Sequence, residues 1–166
     1  MNLFYLDGCP KLAAQYHCDK HVVKMILETA QLLCTAHRII DGNTSTVLYK
    51  ATHINHPSAQ WVRLSINNYL WAYELLCELC KEYRYRYYRG HATERLLEPL
   101  RVPPKRIPSI GRTPIPQCMP DQYKVIGNGI EAYRNYYAQG KTQLLSYKRR
   151  GMPEWLTQKL GQHQAA

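Results

Sequence analysis

Near the start of the chain an acid sits among amines. Lys20, Lys24, Glu28, Gln31 and Thr35 follow one another at steps of four, four, three and four. On a helix such steps put them along one side. A carboxylate held between amines in a cleft can steady positive charge developing on a sugar, or move a proton. A lysine beside it, with its pKa depressed, can serve as an imine-forming nucleophile. The same row turned to water is an ordinary solvated stripe, in which a Lys24–Glu28 pair adds little stability.

Histidines form the next group. His17 and His21 lie four apart, and His53 and His56 sit in a polar stretch before a helix start. The spacings are compatible with a metal. Yet no H-E-x-x-H occurs and no acid flanks either pair in a recognised pattern. No metal is therefore expected, and the loop pair is read as contacting a phosphate or a base. Arg63, Asn67 and Trp71 share a face if they lie on one helix, as do Trp61 and Asn68. Polar groups in so apolar a run either lock helices together or line a polar pocket. Cys77 and Cys80 form a C-x-x-C inside an apolar helical run, which reads as one buried face rather than a redox or zinc pair. The six cysteines are expected to be reduced, mostly as small apolar packers. There is no P-loop, no dinucleotide fingerprint, no G-x-S-x-G and no zinc-deaminase pattern, and no cofactor is expected.

The charge is uneven. Six basic residues face six acidic ones up to position 80, and sixteen face six beyond it, so the net +10 lies wholly in the second half. Nine of the fourteen tyrosines lie there too, eight of them interleaved with the cations in EYRYRYYR (82–89), YRNYY (133–137) and YKRR (147–150). Guanidinium groups neutralise phosphates, and tyrosine faces stack on bases at roughly 1–3 kcal/mol each. Tyrosines packed inward beneath an arginine coat would give the same pattern. The coincidence of both biases favours nucleic acid as partner, with Arg84, Arg86, Tyr133, Arg134 and Tyr137 as candidate contacts.

These residues need elements to position them. At 166 residues and 45% hydrophobic composition the chain suits a single domain with its own core. No apolar run approaches the ~18 residues of a membrane span. The first residues show no basic-then-apolar leader, so a cytoplasmic protein is expected. Residues 1–7 read as a short strand or extended arm. A helical region follows from Pro10 to Ile40, stopped by Asp41-Gly42-Asn43. Pro57 opens a long helix that runs to Arg89, with Gly90 as its stop. Residues 99–120 hold seven of the ten prolines and form an extended basic strap. Helices are expected over 130–138 and 142–149 and from Pro153, with residues 161–166 as a frayed tail. The class is all-α.

The strings CDKHVVKMILETAQLL (18–33), THINHPS (52–58) with WVR (61–63), MPDQYK (119–124) and AYRNYY (132–137) resemble a group of small proteins carried by tailed bacteriophages. The layout is also similar to the phage-type pyrimidine-dimer DNA glycosylases. Those are small, basic, all-α proteins with a catalytic glutamate on an early helix and an aromatic-basic C-terminal segment. They flip a nucleotide opposite the lesion, and their N-terminal amine attacks the sugar to form an imine. The resemblance implies that Glu28 matches the glutamate and that Tyr133–Lys141 match the aromatic-basic segment. The family exposes a small residue after Met1 is removed, whereas Asn2 is large and leaves Met1 in place. The nucleophile is then the amine of Met1, or Lys20 or Lys24. His21, Gln31, His53, His56, Arg63, Asn67 and Lys141 join the substrate-contacting set. The function this implies is a DNA glycosylase and AP lyase acting on damaged or modified bases in a phage-infected bacterial cell. A non-catalytic nucleic-acid-binding protein and an enzyme of free nucleotides are the alternatives.

Overall fold

In the computed structural model, which describes residues 1–165, the chain is all-α, and there is no strand among the described residues. Helices α1 (Pro10–Tyr16) and α3 (Pro57–Leu64) both open on proline, where the missing N–H costs nothing. Helix α2 (Asp19–Asp41) stops at Gly42, whose φ of 63° suits a residue without a Cβ. Helix α4 (Ile66–Tyr87) packs along α2, with α1 and α3 against the pair. Short helices α5 (Leu97–Leu100) and α6 (Gly129–Asn135) follow, and α7 (Glu154–Ala165) closes the chain. No helix among the described residues is long and apolar enough to cross a membrane.

Two helices expected to be continuous are broken. Between α1 and α2 the chain turns extended at His17 and Cys18. There the Asp19 N–H donates to Ser146 O at 2.8 Å, a partner from the far end of the sequence. The helix expected over 57–89 breaks at Ser65, which is extended at φ −151°, ψ 155°. Its hydroxyl accepts from the Asn68 N–H at 3.1 Å, and the Ile66 N–H donates to Pro108 O at 2.8 Å. The break rotates Arg63 away from the Asn67 and Trp71 face expected for it. The stop after α4 is Tyr88, at φ 58°, rather than Gly90. A Cβ at Gly90 would lie 2.7 Å from the Arg84 guanidinium, an exposed side-chain end that can shift. Residues 142–149 form only a 3-10 turn, Thr142–Leu144. Helix α7 continues to Ala165 through residues expected to fray, and Ala166 lies outside the described residues.

Residues 1–7 form an extended arm, not a strand. Leu3, Phe4, Tyr5 and Leu6 are all buried. Tyr5 lies against Trp61, Trp71 and Tyr133, with ring centroids 5.1–5.2 Å apart. An extended segment in a core needs partners for its backbone. Arg134 Nε donates to Leu6 O at 2.8 Å, and the Leu3 N–H donates to Asn2 Oδ1 at 2.8 Å.

The Pro-rich strap runs extended over α3 and α4. The Asp41 carboxylate accepts from the Lys105 and Arg106 N–H groups at 2.7 and 3.2 Å. Asn68 exchanges two hydrogen bonds with Thr113, at 2.8 and 3.1 Å, and Trp61 Nε1 donates to Thr113 O. A buried ionic cluster ties the C-terminal segment to α2 and α4. Arg86 pairs with Asp19 at 3.0 Å and Glu82 at 2.7 Å, and Arg150 pairs with Glu82 at 2.9 Å.

Candidate functional site

The arm, α2, the start of α3, the strap and α6 with its following π turn (Tyr136–Gly140) enclose a polar cavity of about 280 Å³. That lies near the lower edge of the ~300–1,000 Å³ usual for small-molecule sites. A hollow of about 410 Å³ between the strap and α6 is larger, but no acid lines it.

Glu28 is the cavity's one acid. Its side chain is only 13% exposed, and its Oε1 lies 3.8 Å from the Met1 amino nitrogen and 3.8 Å from Lys24 Nζ. These are ion-pair distances, too long for hydrogen bonds. Oε2 is buried with no partner at all. A carboxylate largely removed from water without hydrogen bonds is costly.

The walls hold the amines in place. Asn2 fixes the chain start. Its Nδ2 donates to Cys118 O at 2.9 Å, and its Oδ1 accepts from the Tyr133 hydroxyl at 3.1 Å. The same hydroxyl lies 3.1 Å from Pro116 O, its one proton shared between the two acceptors, and accepts from the Cys118 N–H at 3.2 Å, so it joins arm, strap and α6. Lys141 Nζ sits 4.7 Å over the Tyr136 ring, and Tyr136 stacks on Tyr123 at 5.2 Å.

The imidazoles are tuned down. His21 stacks on Phe4 at 4.3 Å and shares a 2.6 Å hydrogen bond with the Tyr137 hydroxyl. Burial, then the charges of His17, Lys141 and Lys24, push its pKa down to about 3. His56 Nδ1 accepts from the Ser58 N–H at 3.1 Å, so the neutral ring carries its proton on Nε2. Burial first, then the Met1 amine and His53, lower its pKa. His17 lies behind the wall, with Nδ1 2.6 Å from Ala13 O, and burial lowers it to about 4.

His17 and His21 make stability depend on pH. Unfolded, each binds a proton near pH 6.5, while the native rings stay neutral down to about 4 and 3. Stability is therefore full above pH 6.5 and falls as pH drops through that window. At pH 5 the loss is about 2 kcal/mol for each ring. Urea unfolding at pH 7 and pH 5 should show it, and His17→Asn should remove about half. An unchanged pH slope in that variant would exclude His17 as a source.

Of the candidates from the sequence, Glu28, Lys24, His21, His56 and Lys141 line the cavity together. Lys20 is exposed in the first turn of α2, outside the wall, and Gln31 lies almost one turn beyond Glu28. His53 is exposed and donates or accepts locally with Thr52 Oγ1 at 2.8 Å. Arg63 is elsewhere on α3, and Asn67 borders a separate hollow with Trp71 and Arg112. Arg84 is paired with Glu94 at 2.5 Å. Arg86, Tyr133 and Tyr137 are buried, so none offers a face to an outside partner. Arg134 binds Asp7 at 2.9 Å and stacks between Tyr16 and Trp155. Asn2, Phe4, Met25, Cys118 and Tyr136 complete the wall without having been singled out.

The chain matches no known family, no characterised protein and no solved structure. Among the described residues no three His, Cys, Asp or Glu side chains converge as metal ligands. What the cavity can do thus rests on its own chemistry: one half-buried carboxylate, three amines and two neutral imidazoles.

Proposed function

We propose that the protein is a DNA glycosylase with imine-forming AP-lyase activity on damaged or modified bases. The observation that carries this reading is Glu28, a carboxylate that makes no hydrogen bond and lies 3.8 Å from each of two amines. A structural acid would be expected to have hydrogen-bond partners. An acid waiting for a reacting group is the better account of one that has none.

The chemistry runs as follows. The amine of Met1 or Lys24 bonds to C1′ of a deoxyribose as the glycosidic C1′–N bond breaks. The departing base keeps that electron pair and takes up a proton. The amine's own proton passes to Glu28. Ring opening turns the C1′–N bond into an imine, and O4′ becomes a hydroxyl. Loss of a C2′ proton then expels the 3′ phosphate by breaking C3′–O3′. Water finally hydrolyses the imine and restores the amine. Glu28 steadies the cationic sugar and carries protons. His56 Nε2–H can donate to a sugar or phosphate oxygen, and Lys141 offers charge for phosphate. The cavity holds one nucleotide, which must leave the stack to reach it. Basic groups beyond position 80 supply the salt-sensitive grip on the backbone.

The test is borohydride trapping on end-labelled duplex DNA, undamaged and UV-irradiated. A covalent adduct that requires borohydride supports the reading. Lys24→Met and a two-residue extension ahead of Met1 then show which amine is joined. DNA binding with neither adduct nor cleavage would leave a non-catalytic binder. Thermal stabilisation by a free nucleotide but not by DNA would point to a nucleotide enzyme.

A further inference from the structure

The turn Val125-Ile126-Gly127-Asn128 holds a large apolar side chain entirely in solvent. Ile126 is fully exposed, and the next most open large hydrophobic residue, Tyr88, is at 77%. Single exposed apolar residues are common and mean little alone. This one is held rigidly outward. The Gln117 amide clamps Val125 on both sides, accepting from its N–H at 2.9 Å and donating to its carbonyl at 2.6 Å. The Asn128 N–H closes the turn on Val125 O at 3.1 Å. Gly127 is at φ 74° while Ile126 keeps a negative φ, which makes this a type II turn with glycine where it is needed. The Asn128 side chain then accepts from the Glu131 N–H at 3.0 Å, fastening the turn to α6. So braced a tip cannot fold back and cover its own isoleucine.

The turn is also beside the cavity. Gln117, which clamps it, directly precedes the wall residue Cys118. On its other side Tyr123 stacks on the wall residue Tyr136 at 5.2 Å. Chain steps of 3.8 Å and one glutamine side chain keep Ile126 within about 15 Å of the wall residue Cys118. That is within a few base pairs along a duplex. Lys124, just before the turn, is paired with Asp121 at 2.9 Å, and Arg112 faces Gly127 to Gly129 across the neighbouring hollow. An apolar point with a guanidinium across the hollow, in the basic half of the chain, suits a stacked polyanion.

We infer that Ile126 is a wedge that enters a base step of duplex DNA and unstacks it, releasing a nucleotide toward the Glu28 cavity. The inference rests on the DNA reading above. Apolar side chains inserted between bases open and kink a duplex in this way, at a cost repaid by further contacts. The wedge does no chemistry and acts by positioning the substrate.

The experiment uses duplexes with 2-aminopurine beside the lesion, wild-type protein, and the Ile126→Ser and Ile126→Leu variants. Wild type is expected to raise the fluorescence as the base unstacks. Ile126→Ser should lose that rise and slow adduct formation on duplex by roughly tenfold, while single-stranded substrate is processed at the wild-type rate. Ile126→Leu should keep the rise. Because the side chain touches only solvent, both variants should melt like wild type. If Ile126→Ser unstacks DNA as wild type does while adducts still form, the wedge is overturned and the glycosylase reading stands. If wild type neither binds nor modifies DNA, both are overturned. If wild type instead floats with phosphatidylserine vesicles through Ile126 and leaves 2-aminopurine unchanged, the tip is a membrane contact and the wedge is overturned.

Discussion

Glu28→Gln is expected to abolish turnover, by roughly a thousandfold or more, while DNA affinity stays close to that of wild type. The substitution keeps the shape of the side chain and removes the charge that the amines flank at 3.8 Å. On the proposed reading, without it the cationic sugar has no counter-charge and the nucleophile has no proton acceptor. On the proposed reading phosphate is held by cations and by His56, not by Glu28, so binding and its salt dependence should survive. A second readout follows from the same geometry. The carboxylate bears desolvation without compensating hydrogen bonds, so its neutral counterpart should leave the Tm unchanged or raise it. Equal loss of affinity and turnover would remove Glu28 from the chemistry. A large fall in Tm would make it a structural ion.

Arg86→Met is expected to cost about 3–5 kcal/mol of stability, lowering the Tm by roughly 10 °C. Arg86 is fully buried, and it donates to His17 O and Gln15 O as well as to Asp19 and Glu82. Removing it leaves two carbonyls unpaired and takes one cation from two buried carboxylates. Asp19 would keep the Ser146 hydroxyl and the Lys148 N–H, and Glu82 would keep Arg150. Arg86→Lys should restore little, because an ammonium cannot reproduce the guanidinium's fork of donors. Two positions earlier, Arg84→Met should barely change stability, since its pair with Glu94 is solvent-exposed on the arginine side. Urea unfolding of the three variants separates these expectations, and an Arg86→Met protein as stable as Arg84→Met would refute them.

How much of this could be read in the residues varies by element. Pro10, Pro57 and Gly42 mark helix ends by covalent geometry, and the prolines of 103–120 exclude a helix, so those parts are legible, whereas Pro99, expected to begin the strap, lies in the first turn of α5, where its missing N–H costs nothing. The breaks at His17–Cys18 and Ser65 are not, because no Pro or Gly makes them. They depend on the Ser146 and Pro108 carbonyls, which approach from distant sequence. Only part of the row on α2 reaches the cavity, for a reason of angle. At about 100° per residue, each step of four overshoots a turn by about 40°, so Lys20 sits about 80° from Glu28 and leaves the cavity. His21, seven residues before Glu28, returns to within about 20° of it. Arginine and tyrosine types alone could not tell an outer coat from a core. Arg86, Tyr133 and Tyr137 are buried, while Tyr136, from the same run, lines the cavity.

The buried arm has a consequence for synthesis on the ribosome. Asn2 is hydrogen-bonded to Tyr133, 131 positions later, and the cavity wall needs Tyr136 and Lys141 as well. Residues 2–6 must therefore wait, without these partners, until Tyr133 to Lys141 have emerged. Closing so long a loop is slow compared with forming local helices. The apolar Leu3-Phe4-Tyr5-Leu6 run stays available to chaperones until then. The cavity can therefore form only after Lys141 has been added to the chain.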